Sequence, residues 1–368
     1  MVLRTKYTVL LTFFVLLAGI VTVAQQKPDT TFTGYATAKL HTNGVADFFE
    51  YGFANLKSQE KYSTETIQNV GSVSKTLIGV SLMIAKEKGL LDLDQNIQEY
   101  LDFQLQNPWT EEGSHITLRQ LATHTSGIVD NEKYYLKSYC EGERPKMALG
   151  EFLKQYLEKG GDLYSKKNFS KAESGKAYTY SNIGAALAAY VIERVSGIPF
   201  SEFTKTHILD PLKMEDSGWS YAEIDTAKHA ILYGEDDEPL RAYTLITYPD
   251  GGFRTSIADL SIYLKELIKG YDHQSNLLKD ESWDELFRRN FSVENPVENI
   301  NPKEPNSGLF MMYSKSGMIG HTGSDPGACC IMWFHPETGE GYIFMANEDL
   351  TKQNIASFKN IWKNTTAR

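Results

Sequence analysis

The sequence predicts an α+β chain: an α/β sandwich whose antiparallel sheet is covered by helices, with an all-α domain inserted into it. Three observations point there. Strand-like alternation runs from Thr33 to Leu56 and returns from Cys329 to Ala346. Between these stretches the pattern is mainly helical, punctuated by Gly and Pro. A sheet split between two ends divides the chain into an α/β domain of residues 33–91 and 250–368 and a helical domain of residues 92–249.

The elements follow in order. Arg4 and Lys6 precede an apolar run from Val9 to Val23, and Thr22 and Ala24 suit a cleavage site before Gln25. Residues 1–24 therefore read as a signal peptide and 25–32 as a polar linker. The competing reading, a retained anchor, has a short apolar run against it. The expectation is an exported protein, periplasmic or secreted, with no membrane span after cleavage. A turn at Thr42-Asn43-Gly44 joins two strands. Val73 to Lys88 is a helix closed by Gly89, apolar nearly all round and so buried. Thr117 caps LRQLATH, which stops by Gly127. Helices follow at Ala148–Glu158 and Ile183–Val195, and Ser201 is expected to cap another before Asp210-Pro211. Ile257 to Lys269 is helical. Pro336-Glu337-Thr338-Gly339 turns a hairpin between strands Cys329–His335 and Gly341–Ala346, and a last helix covers Gln353–Trp362.

Composition narrows the function. Hydrophobic residues make up 41% of the 368, enough for a substantial core. The net charge of −10, with no basic run, argues against a nucleic-acid partner. The three cysteines, Cys140, Cys329 and Cys330, leave disulfide pairing open in an exported chain. Small buried side chains on a strand are the favoured reading for the adjacent pair. No Cys-x-x-Cys or His-Glu-x-x-His spacing suggests a metal, and no cofactor is expected.

The chemistry begins at GSVSK, where Ser72 and Lys75 stand three residues apart at the mouth of the apolar helix. Residues so spaced share a helix face, and Ser72 would lie near free N–H groups at the dipole's positive end. A serine hydroxyl needs a base, and a lysine serves only as a free amine, which burial or a nearby positive group favours. A helix cap with a solvated lysine is the bland alternative. The spacing alone does not choose, since Ser58 and Lys61 repeat it in fully polar KSQEK. Three further stretches shift the balance: Tyr180-Ser181-Asn182 before an Ala-rich helix, Gly320-His321-Thr322-Gly323 before a strand, and Ile116 to Ile128 between the first and second motifs.

This ordered set resembles the serine β-lactamase and penicillin-binding superfamily, in particular its class C, DD-peptidase and esterase-like branch. The likeness covers nearly the whole chain after the signal segment. GSVSK, YSN and HTG look like the three motifs, framed by LRQLATHTSGI, YPDGGFRTSIADL and GHTGSDPG. The resemblance implies roles. Ser72 would be the acylated nucleophile, Lys75 its partner and Tyr180 a proton shuttle. Asn182 would orient the substrate amide and hold Lys75. His321, Thr322 and Gly323 would line the substrate site, and the N–H groups of Ser72 and Ser324 would form an oxyanion hole. Taken singly, Tyr180 reads as a core tyrosine, Asn182 as a helix cap, and His124 and His321 as structural.

The third motif begins with His321 where many relatives carry lysine. Neutral histidine supplies little positive charge for a substrate carboxylate. The expected activity is thus hydrolysis of a small-molecule or peptide substrate, an amide or ester, in DD-carboxypeptidase-like or esterase-like fashion. β-Lactam hydrolysis ranks second, and a catalytically silent peptidoglycan- or partner-binding module is the rival of another class. No Gly-x-Ser-x-Gly elbow suggests an α/β-hydrolase.

Overall fold

The computed structural model describes residues 31–44, 46–110, 115–234 and 237–367. The expected signal peptide, and all but the last two residues of the expected linker, lie outside the described residues. The strands are β1 Gly34–Leu40, β2 Ala46–Asn55, β3 Glu60–Lys61, β4 Gln68–Asn69, β5 Tyr139–Glu141, β6 Tyr243–Leu245, β7 Arg254–Thr255, β8 Asn306–Ser307, β9 Met312–Tyr313, β10 Ile319–Asp325, β11 Ala328–His335 and β12 Glu340–Ala346. The helices are α1 Ser74–Glu87, α2 Leu118–Ala122, α3 Glu132–Tyr135, α4 Leu149–Leu157, α5 Asn182–Ser196, α6 Phe200–Thr204, α7 Asp210–Leu212, α8 Ile257–Tyr271, α9 Asp280–Phe287 and α10 Ile355–Thr366.

One eight-stranded antiparallel sheet runs β3-β2-β1-β12-β11-β10-β9-β8. Its centre joins the two ends of the described chain: β1 pairs with β12, with Tyr35 opposite Ala346. Side chains alternate across the sheet, so each strand serves two faces. Ala36, Ala38, Met332, Phe334, Ile343 and Met345 face the large core that includes α1 and α8. Tyr35, Ile331, Trp333 and Phe344 face the other way, against Phe358 and Trp362 of α10. Phe32, within the expected linker, is buried edge-on against Tyr35 and Phe344.

Local chemistry explains the helix ends. Thr117 caps α2 in a reciprocal capping box with Gln120. Ser181 caps α5, whose far end stops at left-handed Gly197. Ser201 does not cap α6. That helix starts one residue earlier, at Phe200 after extended Pro199, so Ser201 lies inside it.

Two differences bear on the site. Ser72 lies outside α1, in a 3₁₀ turn at Gly71–Val73 that leads into the helix. His321-Thr322-Gly323 lies within strand β10 instead of preceding a strand. Glycines make both possible. Gly71 takes a left-handed φ of +51° and carries no side chain where Ser324 N passes; a Cβ there would lie 2.7 Å from that nitrogen. A Cβ on Gly323 would lie 1.9 Å from the Val70 carbonyl oxygen. Together they let β10 lie against the turn that carries Ser72.

Candidate active site

Lys75 is completely buried on the first turn of α1. Its Nζ makes three short contacts: 2.6 Å to Asn182 Oδ1, 2.5 Å to the Asp250 carbonyl oxygen and 2.9 Å to Ser72 Oγ. Two of these partners only accept. A neutral amine has two N–H groups and one lone pair. Donating to Asn182 and Asp250 therefore aims that lone pair at the Ser72 hydroxyl. The ammonium form satisfies the same three neighbours by donating its third N–H to Ser72. Either protonation state fits without moving an atom, so proton exchange with Ser72 needs little reorganisation. Burial brings the Lys75 pKa down to about 8, while Asp250, Asp130 and Asp325 pull it upward.

Ser72 does not cap α1, which has no side-chain cap. Ser74 instead donates to the Gly71 carbonyl at 2.6 Å and accepts from Phe253 N at 3.1 Å, tying the nucleophile's turn to the 251–253 segment.

Tyr180 is half-buried, with its ring against His124 at 4.3 Å between centroids and Lys75 Nζ at 5.0 Å. Its hydroxyl is buried and makes no hydrogen bond among the described residues. Ser72 is nevertheless close enough to favour its ionised form, although desolvation dominates and raises the phenol far above its ordinary value. This is not a core tyrosine with its hydroxyl satisfied. It is a neutral phenol held beside Ser72.

Asn182 is the first residue of α5, placed by a device that the sequence reading missed. Asp130, half-buried, accepts from Ser181 Oγ at 3.0 Å, Asn182 N at 2.8 Å and Ile183 N at 3.0 Å. Its charge sits at the positive end of the helix. The available signal was an acidic residue just after HTSGI, with unpaired donors at the start of the Ala-rich helix still to be met. His124 has the bracing role expected of it: buried in a left-handed conformation, its Nδ1 accepts from Ser181 N at 3.2 Å.

His321 is buried, and its Nδ1 lies 2.6 Å from the Thr322 carbonyl oxygen. A carbonyl only accepts, so Nδ1 carries the proton. Burial and the Lys75 charge lower the His321 pKa to about 3, which leaves Nε2 as a bare lone pair without a partner among the described residues. Thr322 is half-buried and Ser324 exposed on the same strand, with Gly323 packed on the Ser72 turn. Ser58, of the second Ser-x-x-Lys, is an exposed turn residue whose backbone N–H bonds to Asn55 Oδ1.

Asp250 was not singled out from the sequence beyond its place in YPDGG. The three cysteines are buried and free, each on a strand. A cavity of about 520 Å³ opens at the far end of α5, lined by Glu193, Trp219 and Tyr248; its lining contains none of the groups around Ser72.

A family model described as Beta-lactamase matches residues 20–362. A β-lactamase of Providencia stuartii is 25% identical over 227 residues, covering 61% of this chain and 53% of that protein. Penicillin-binding protein 4* of Bacillus subtilis (strain 168) is 22% identical over 321 residues, covering 81% of this chain and 64% of that protein. The chain thus spans between half and two thirds of the length of these relatives. The solved D-amino acid amidase from Ochrobactrum anthropi SV3, complexed with L-phenylalanine amide, shares the fold, with a TM-score of 0.71 at 18% identity over 91% of this chain and 93% of that one.

Proposed function

Since this chain belongs to the Beta-lactamase family, a family of serine hydrolases, we propose that it hydrolyses a small amide or ester through an acyl-Ser72 intermediate. The observation that carries this reading is the aim of Lys75: both other acceptors are carbonyl oxygens, so its free base has only Ser72 Oγ to face. Lys75 takes the Ser72 proton as Oγ attacks the carbonyl carbon. The carbonyl oxygen gains charge near the N–H groups of Ser72 and Ser324, which the two glycines bring together. The neutral Tyr180 phenol donates a proton to the leaving group and is reprotonated from Lys75. In the second half-reaction water attacks the acyl ester, its proton passes by way of Tyr180 to Lys75, and Lys75 returns a proton to Ser72 Oγ as the bond between Oγ and the acyl carbon breaks.

The substrate reading follows from His321. A carboxylate brought to Nε2 would meet a lone pair instead of a proton, and three acids already surround Lys75. This favours D-amino-acid amides and acyl esters over the two carboxylate-bearing classes, β-lactams and DD-carboxypeptidase substrates. Export with removal of residues 1–24 belongs to the same proposal, supported by the basic start and apolar run.

Fluorophosphonate or fluorescent penicillin, applied to the purified protein and to Ser72→Ala, tests the acyl-serine. We expect a stoichiometric adduct only with Ser72 present. Absence of any adduct would leave the silent binding module. A panel of p-nitrophenyl esters, D-amino-acid p-nitroanilides and nitrocefin tests the substrate. Turnover of the neutral substrates should exceed that of carboxylate-bearing nitrocefin by at least about tenfold, the effect of about 1.4 kcal/mol; the reverse order would make the protein a β-lactamase.

A further inference from the structure

The wall behind Lys75 contains a carboxyl group that the reaction above does not use. Asp250 is 1% exposed. Its carbonyl oxygen accepts from Lys75, its Oδ1 lies 3.3 Å from the Tyr135 hydroxyl, and its Oδ2 is buried without a hydrogen bond, beside Thr247 but outside bonding geometry. A buried, half-satisfied carboxyl costs stability. Such a cost beside a reactive amine calls for a function. The groups facing Lys75 are Asp250, Asp130 and Asp325 among the acids, with His124, His321 and Tyr180 neutral. Asp130 is held by three donors at α5, and Asp325 by the hydroxyls of Tyr139 and Tyr243 at 2.7 and 2.9 Å. Asp250 alone of the three also grips the lysine through its own backbone.

We infer that Asp250 is a positioning residue that tunes the base: its carboxylate, set into the dry wall beside Lys75, holds the lysine as an ammonium and so sets the pH at which the site turns on. The inference rests on the acyl-Ser72 reading for its catalytic meaning, though not for the coupling itself. Burial raises the Asp250 pKa to about 7 while Lys75 pulls it down, so the two groups titrate as a linked pair across neutrality. Loss of the carboxylate removes the strongest of the charges that keep Lys75 protonated. The counterintuitive result is a gain of function near neutrality when an acid next to the nucleophile is neutralised.

The test uses the full chain and three variants. In Asp250→Asn, the acidic limb of the kcat/KM profile for a p-nitrophenyl ester should move down by about one pH unit. The rate between pH 7 and 8, where the wild-type carboxyl is ionised, should rise, while the rate at pH 6, where it is already protonated, should hardly change. Tyr135→Phe removes a donor that favours the charged carboxyl, and should move the limb the same way by less. NMR of ¹³Cε-labelled lysine, with the Lys75 resonance identified by its loss in Lys75→Met, reads the lysine midpoint without any turnover. A midpoint that falls in Asp250→Asn supports the inference. A uniform drop in rate, with limb and midpoint unmoved in both Asp250→Asn and Tyr135→Phe, would mean that Asp250 only packs, and would overturn it. Should Asp250→Asn not fold, the Tyr135→Phe midpoint decides. Failure of the wild type to label at Ser72 would sink the acyl-serine reading, while the lysine midpoints still judge the coupling.

Discussion

At Ser72 the outcome turns on one proton. A protonated Lys75 cannot accept from Ser72, so kcat/KM should rise with pH and level off above about 8, the value to which burial lowers the lysine. Lys75→Ala removes the acceptor and should abolish burst acylation while leaving reversible binding nearly unchanged. A normal burst in that variant would count against the lysine. Tyr180 stays neutral throughout this range because burial lifts its phenol far upward, so its contribution is proton relay and not charge. Tyr180→Phe should slow turnover by about 10²–10⁴-fold; pre-steady-state kinetics would show whether acylation or deacylation suffers. These residue types and their order were legible in the sequence. Their protonation states were not, because those follow from burial and from acids such as Asp130 and Asp250, which lie 55 and 175 positions from Lys75 in the chain.

At the scale of elements, the site depends on two packing devices. Asp130 holds the start of α5, and Asp130→Ala would strip three donors of their acceptor. The expected loss is about 2–5 kcal/mol, because the group is charged and half-buried. Chemical denaturation should show that loss, together with a fall in kcat as Asn182 drifts from Lys75. Gly323→Ala places a methyl group 1.9 Å from the Val70 oxygen, so β10 must retreat from the Ser72 turn. Acylation should fall at least about a hundredfold, in line with loss of an oxyanion donor. Periodicity located α1, α4, α5, α8, β11 and β12 to within a residue or two, since each has a long apolar face. It missed the short pair of β5 and β6, whose three-residue strands are too brief to show alternation. It also left HTG outside a strand, because the glycines that let β10 touch the nucleophile look like loop residues until their neighbour is known.

The whole molecule responds to pH through its buried rings. His229 is half-buried, and burial followed by the Arg254 charge lowers its pKa from 6.5 to about 4. The folded state therefore prefers the neutral ring. Its stabilising contribution is complete above pH 6.5 and is lost as the pH falls toward 4, amounting to about 3 kcal/mol. His229→Asn keeps a donor for the Ala230 carbonyl and should flatten that part of the acid-unfolding curve. An unchanged curve would place the acid sensitivity in other groups.

The central pairing of β1 with β12 sets a timetable for the nascent polypeptide. The bond from Thr33 N to Glu348 Oε2 closes a loop of 315 positions, and the turn holding Ser72 has no β10 to lean on until residue 325 has been made. Ribosomes must reach β12, Glu340–Ala346, before β1 has its partner and the sheet can close. A chain stalled or clipped ahead of β10 would carry the serine, the lysine and the tyrosine and yet possess no enzyme, so reactivity waits on a strand made about 250 positions after the nucleophile.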